Sequence, residues 1–138
     1  MRFYLDTNII IFILMEEWDE VDKKVKSILK DYSNLFYVSS IVVQELLQLH
    51  RIGKFRPKRI KSKNDILHSI KEAGIEIRSF NQCHLEQYAE LVEIEGHKDM
   101  NDHAIIAQAI SDKIPIISSD SKFYLYEKQG LELIFNKR

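Results

Sequence analysis

The sequence predicts an α/β protein with a parallel or mostly parallel central sheet covered by helices on both sides. Three observations carry this. Strand-like runs alternate with helix-period stretches along the whole chain, the pattern of successive β-α units. Two of the strand candidates end in an acid, Asp6 and Asp120, as strands do when a sheet's carboxyl edge carries polar groups. The 138 residues suffice for one domain, 1–138, with a real core, and no repeat, linker or low-complexity tract divides them.

The elements follow in order. Phe3, Tyr4 and Leu5 are strand formers, Thr7 and Asn8 are helix-cap residues, and 9–15 is an apolar run without a breaker. Strand, carboxylate, cap and helix place Asp6 at the carboxyl end of the first strand, where open α/β sheets bind ligands. A charged helix is expected over 18–29, with Val21, Val25, Ile28 and Leu29 at helical spacing and Trp18 as its anchor. Residues 31–34 read as a turn and 35–38 as a strand. Ser39 or Ser40 can cap a helix over 41–50, ended by Gly53. On it Ile41, Glu45 and Leu49 stack on one stripe beside Val42 and Leu46, so Glu45 is an acid on an apolar face.

The segment 51–63 carries Arg51, Lys54, Arg56, Lys58, Arg59, Lys61 and Lys63 without one acid, and Pro57 breaks any helix through it. It reads either as a solvated loop or as an arm that contacts phosphates. A helix over 64–73 ends at Gly74, and 75–77 alternates as a strand does. Asn81 can cap a helix through Leu85, Tyr88, Ala89, Leu91 and Val92 that stops near Gly96. Residues 99–102 open a helix over 103–111, with Asp102, Ile105, Ile106, Ala109 and Ile110 on one face. A strand over 114–118, a short helix over 123–128 and a strand over 131–135 complete the chain.

Composition excludes more than it assigns. A net charge of −1 does not announce a nucleic-acid partner, so charge distribution has to be read instead. The single Cys83 rules out an internal disulfide framework and points to a reducing compartment; a partly buried thiol is expected. The run 9–15 is far shorter than the roughly 20 residues a bilayer span needs, and no signal-peptide pattern opens the sequence, so a cytoplasmic protein without a membrane partner is expected.

Each acid has a local explanation. Asp6 can be a turn or cap residue, Asp102 a first-turn acid favoured by the helix dipole, and Asp120 a turn initiator. Glu45 resists this reading, because a carboxylate on an apolar stripe is costly unless paired with Lys or Arg or coordinated. Taken together, four converging carboxylates would repel and raise one another's pKa, and a divalent cation removes the conflict. The candidate donors are hard oxygens, and no Cys or His pair has zinc-site spacing, so Mg²⁺ or Mn²⁺ suits them. Such a site can activate water and stabilise in-line displacement at phosphorus. His97 and His103, six apart, do not share a helix face and read as surface or outer-shell residues. Tyr124 and Tyr126 read as packing.

The ordered set Leu5-Asp6-Thr7-Asn8, Gln44-Glu45-Leu46, the run 99–109 and Ile116-Ile117-Ser118-Ser119-Asp120 resembles the PIN-domain nucleases, and within them the small VapC-type toxins of bacterial toxin–antitoxin pairs. The resemblance spans essentially the whole chain. It implies a PIN-like three-layer sandwich and a Mg²⁺-dependent endoribonuclease, silenced by a cognate antitoxin, that hydrolyses RNA. It carries over onto Asp6, Glu45, Asp102 and Asp120 as the catalytic, metal-holding acids. Asn8, Ser118 and Ser119 match supporting polar positions near such sites. A homodimer is also expected. Met100-Asn101 departs from the family pattern, where many relatives have proline and an apolar residue, and His103 stands where Arg or a small residue is frequent. Three rivals share an acidic pocket or the fold. An aspartyl-intermediate phosphatase would want an acid where Asn8 stands. A receiver-like signalling domain would want an acidic pair beside the first strand. A catalytically silent PIN module would bind RNA or protein only.

Overall fold

A computed structural model describes residues 1–138. Five strands, β1 (Arg2–Leu5), β2 (Leu35–Ser39), β3 (Ile75–Arg78), β4 (Ile116–Ser118) and β5 (Leu133–Phe135), form one sheet in the order β3-β2-β1-β4-β5. Every pairing is parallel. Six α-helices accompany the sheet: α1 (Thr7–Leu14), α2 (Lys23–Lys30), α3 (Ser40–Arg51), α4 (Lys63–Glu72), α5 (Gln82–Glu90) and α6 (Met100–Asp112). The α/β sandwich with a parallel sheet flanked by helices is as the sequence predicts.

β1 is central, and Phe3, Tyr4 and Leu5 are buried. Its neighbours β2 and β4 lie on opposite sides, so the strand order reverses there. Such a switch point opens a crevice at the carboxyl strand ends. Asp6 follows β1, and Ser118 ends β4, at this place. The core continues through Ile9, Ile10, Val42, Leu46, Ile105, Ile106, Ile117 and Phe123. Helix α6 is buried continuously from His103 to Ala109, whereas α3 buries Val42, Val43 and Leu46 and leaves Glu45 half-buried at the margin of its apolar face.

Several expectations are corrected. The cap of α1 is Asp6 itself, whose Oδ1 accepts the Thr7 N–H at 2.7 Å; Thr7 and Asn8 are already helical. The 18–29 helix divides into a 3-10 turn, Trp18–Glu20, and α2, because Asp22 caps α2 by accepting the Val25 N–H. Trp18 is 41% exposed and anchors nothing, whereas Val21 and Val25 are buried. Helix α5 stops at Glu90 rather than near Gly96. There Gln129 both accepts the Val92 N–H and donates to the Val92 carbonyl, holding that segment out of helix. Cys83 is exposed, since α5 turns His84 inward instead. The short helix near the C-terminus is 3-10, Ser121–Gln129. No helix is long and apolar enough to cross a membrane.

Candidate functional site

The site is built from the switch point outward. Asp6 is 4% exposed. Its Oδ1 accepts from the Thr7 N–H and its Oδ2 from the Ser118 hydroxyl at 2.6 Å, and the Ser118 Oγ in turn accepts the Asp120 N–H at 3.0 Å. One hydroxyl thus couples the ends of β1 and β4. Ser119 serves differently: its Oγ accepts from Asn136, a fully buried side chain that also donates to the Glu20 carbonyl and accepts the Asp22 N–H. Asn8 is exposed on α1.

Glu45 enters from α3 and accepts from the Asn101 side-chain amide at 3.1 Å, which ties it to the start of α6. A cavity of about 390 Å³ lies here, lined by Gln44, Glu45, Leu47, Gln48, Arg51 and Asn101. Asp102 sits in the first turn of α6, where Asp99 caps the helix by accepting the Asp102 N–H. Ligand atoms of His97, Asp102 and Asp120 all lie within 4.8 Å of one another, a group that could hold a metal ion. Asp6 and Glu45 stand outside that tight group but within its electrostatic reach.

The electrostatics follow from burial and crowding. Burial, chiefly, pushes the Asp6 carboxyl up to about 7; the Ser118 hydroxyl and Thr7 N–H oppose this, and the charges of Asp102 and Glu45 add to it. Asp102 is likewise pushed up to about 7, first by desolvation and then by Asp99, Asp120 and Glu45, with Lys122 opposing. No Lys or Arg forms an ion pair with Asp6, Glu45, Asp102 or Asp120. The paired-cation explanation for Glu45 therefore fails, and no ion pair balances the four acids; Lys122 acts on Asp102 only from a distance. The Thr7 hydroxyl, next to Asp6, is buried without any protein partner. Crowded oxygen donors, no ion-paired Lys or Arg and an orphaned hydroxyl are a donor set that fits a divalent metal.

All seven cations of 51–63 are exposed, held outward by buried Phe55, Pro57 and Ile60. They divide in space. Arg51 shares the cavity of Glu45 and Asn101. Arg56, Lys58 and Arg59 instead line a cavity of about 750 Å³ with Leu14, Met15 and Glu72, at the far end of α1 from Asp6. The chain turns into this segment at Gly53, which has φ +79°; a Cβ there would also lie 2.5 Å from the Arg56 guanidinium.

Sequence reasoning understated four participants. Asn101 was noted only as a departure from the family pattern and Lys122 was given no site role, although each directly adjoins or closely follows a chosen acid. Thr7 was noted as a cap only. Of the two readings of His97, surface or outer-shell, burial removes the first: its Nε2 lies 3.0 Å from Asp102 Oδ2 and its Nδ1 2.8 Å from the Tyr126 hydroxyl.

A family model described as PIN domain matches residues 3–129, and the chain belongs to that family. Its membership sets aside the phosphatase and receiver-like rivals. Among solved structures, it is similar to VapBC2 from Rickettsia felis bound to a promoter DNA fragment, at 23% identity over 99% of this chain and 100% of that one, TM-score 0.73. DNA-bound VapBC from Salmonella typhimurium is similar at 16% identity over 98% of both chains, TM-score 0.69. VapBC-1 from nontypeable Haemophilus influenzae is similar at 20% identity over 98% of both chains, TM-score 0.68. No curated protein matches the chain.

Proposed function

We propose that this PIN domain is a Mg²⁺-dependent endoribonuclease, active also with Mn²⁺, and the toxin of a toxin–antitoxin pair. The observation that carries the reading is the convergence, without an ion-paired Lys or Arg, of Asp6 and Asp102 with Glu45 and Asp120 at the β1/β4 switch point. These four acids would hold the cation. When bound, it would supply Lewis acidity toward a phosphodiester and ease deprotonation of water. Ser118 orients Asp6, Asn101 orients Glu45, and Ser119 is fixed by Asn136. Asn8, exposed beside Asp6, is available to substrate.

In this reading RNA crosses the acids with Arg51 beside the reacting phosphate, and Lys54, Arg56, Lys58, Arg59, Lys61 and Lys63 meet the flanking strand. The similar VapBC structures, members of a family of toxin–antitoxin systems, support an antitoxin partner for this chain; a cytoplasmic homodimer belongs to the same proposal. Cleavage of RNA should vanish in EDTA and return with added Mg²⁺. Unchanged cleavage in excess EDTA would reject the mechanism, and absence of cleavage in Mg²⁺ would favour the silent module. Expression alone should arrest growth, relieved by the neighbouring small protein; normal growth without that protein would remove the toxin assignment.

The basic segment makes a separate expectation. Each phosphate contact on single-stranded RNA contributes about 0.7 to the slope of log affinity against log salt. Neutralising Lys58, Arg59 and Lys61 together should flatten that slope by about 2, and Arg51→Ala by about 0.7. An identical slope in the triple variant would return the segment to a solvated loop.

A further inference from the structure

His97 lies in the loop between α5 and α6 and is buried, as is Tyr126 of the last 3-10 helix. The Tyr126 oxygen has two partners: the Ile94 N–H at 3.4 Å and the His97 Nδ1 at 2.8 Å. The amide can only donate, so it occupies an acceptor site of the phenol. The phenolic O–H then requires an acceptor, and His97 Nδ1 is the one within reach. Nδ1 must therefore present its lone pair, and the ring proton resides on Nε2. From there it is donated to Asp102 Oδ2 at 3.0 Å. The reverse tautomer would bury a phenolic proton without a partner, which is disfavoured. The histidine itself is held in place, because His103 Nε2 meets the His97 carbonyl at 2.9 Å and the two rings pack edge to face at 4.8 Å.

A protonated Nε2 cannot bind a metal. This decides between two roles that the closeness of His97, Asp102 and Asp120 leaves open. We propose that His97 is a positioning residue for Asp102, not a ligand: Tyr126 fixes its tautomer, and its Nε2–H holds Oδ2 so that the carboxylate meets the cation in one orientation. The inference rests on the metal-site reading above and extends it to a relay, Tyr126 to His97 to Asp102. Outer-shell partners of metal-bound carboxylates commonly alter metal affinity by 10- to 100-fold.

The test is Mn²⁺ binding to EDTA-dialysed protein, followed by the electron paramagnetic resonance of free Mn²⁺. Melting in EDTA monitors the fold, and pulsed measurement of the bound ion detects any directly coordinated nitrogen. His97→Phe keeps a ring but no donor and should weaken Mn²⁺ binding about 10- to 100-fold. His97→Gln, whose amide can donate to Asp102, should recover part of that loss. Tyr126→Phe removes the tautomer lock alone and should give an intermediate loss. The bound ion in wild type should show no directly coordinated nitrogen. Wild-type affinity in His97→Phe, or a nitrogen ligand in wild type, overturns the proposal. If His97→Phe does not fold, unchanged affinity in Tyr126→Phe overturns it instead. Loss of Mn²⁺ in Asp102→Asn with none in His97→Phe would sink the His97 role alone. A wild type that binds no Mn²⁺ would sink the metal-site reading with it.

Discussion

Asp6→Asn should abolish nearly all RNA cleavage while raising the melting temperature of the metal-free protein. The two effects have one cause. Asp6 is buried, and at pH 8 most of its population is charged against its environment, since burial pushes the carboxyl up to about 7. Asn keeps the shape and can still accept the Thr7 N–H, donate toward Ser118 and cap α1, for Asn and Asp are comparable caps. The charge is lost, and the Ser118 bond reverses so that the amide donates to the hydroxyl oxygen. The relief is worth up to several kcal/mol, and each kcal/mol corresponds to about 2–8 °C over the usual domain sizes. Metal affinity should fall with it, so the Mg²⁺-dependent rise in melting temperature should shrink. A merely structural cap predicts the opposite pattern. A variant that melts lower in EDTA yet still cleaves RNA would make Asp6 structural.

Metal-free protein should also grow less stable as pH rises from about 4 to about 7. Asp6 and Asp102 both have folded values raised to about 7 from an ordinary 3.8. Between those values the folded chain holds protons that the unfolded chain has released. Stability therefore falls with increasing pH across the window and levels off above it. In EDTA the melting temperature should be higher at pH 5 than at pH 8. Mg²⁺ should reduce the difference by favouring the ionised carboxylates, and so should Asp6→Asn. A wild-type profile that rises from pH 5 to pH 8 in EDTA, or one that Asp6→Asn leaves unaltered, would mean that these carboxyls are not strained.

Local periodicity made the elements legible, and local chemistry made the acids legible. Glu45 was conspicuous because four-residue spacing sets it among Ile41 and Leu49, and the structure leaves it half-buried with Asn101 as its partner. The strand order was not legible, because pairing β1 between β2 and β4 depends on contacts far apart in sequence. Trp18 misled for a physical reason: its acidic neighbours Glu16, Glu17, Asp19 and Glu20 favour the surface, and Glu16 turns the chain with φ 57°. His97 carried no local pattern at all. Its meaning lies in Tyr126, 29 positions away, and no spacing rule links a loop histidine to a distant phenol.

The most direct test of the central claim is a crystal structure grown with Mn²⁺ and measured at a wavelength where manganese scatters anomalously. The account predicts a peak at the β1/β4 switch point, within about 2.0–2.3 Å of carboxylate oxygens drawn from Asp6, Glu45, Asp102 and Asp120, with bound water completing the shell. Well-ordered carboxylates with no peak at saturating Mn²⁺, or a peak held by other residues, would contradict it.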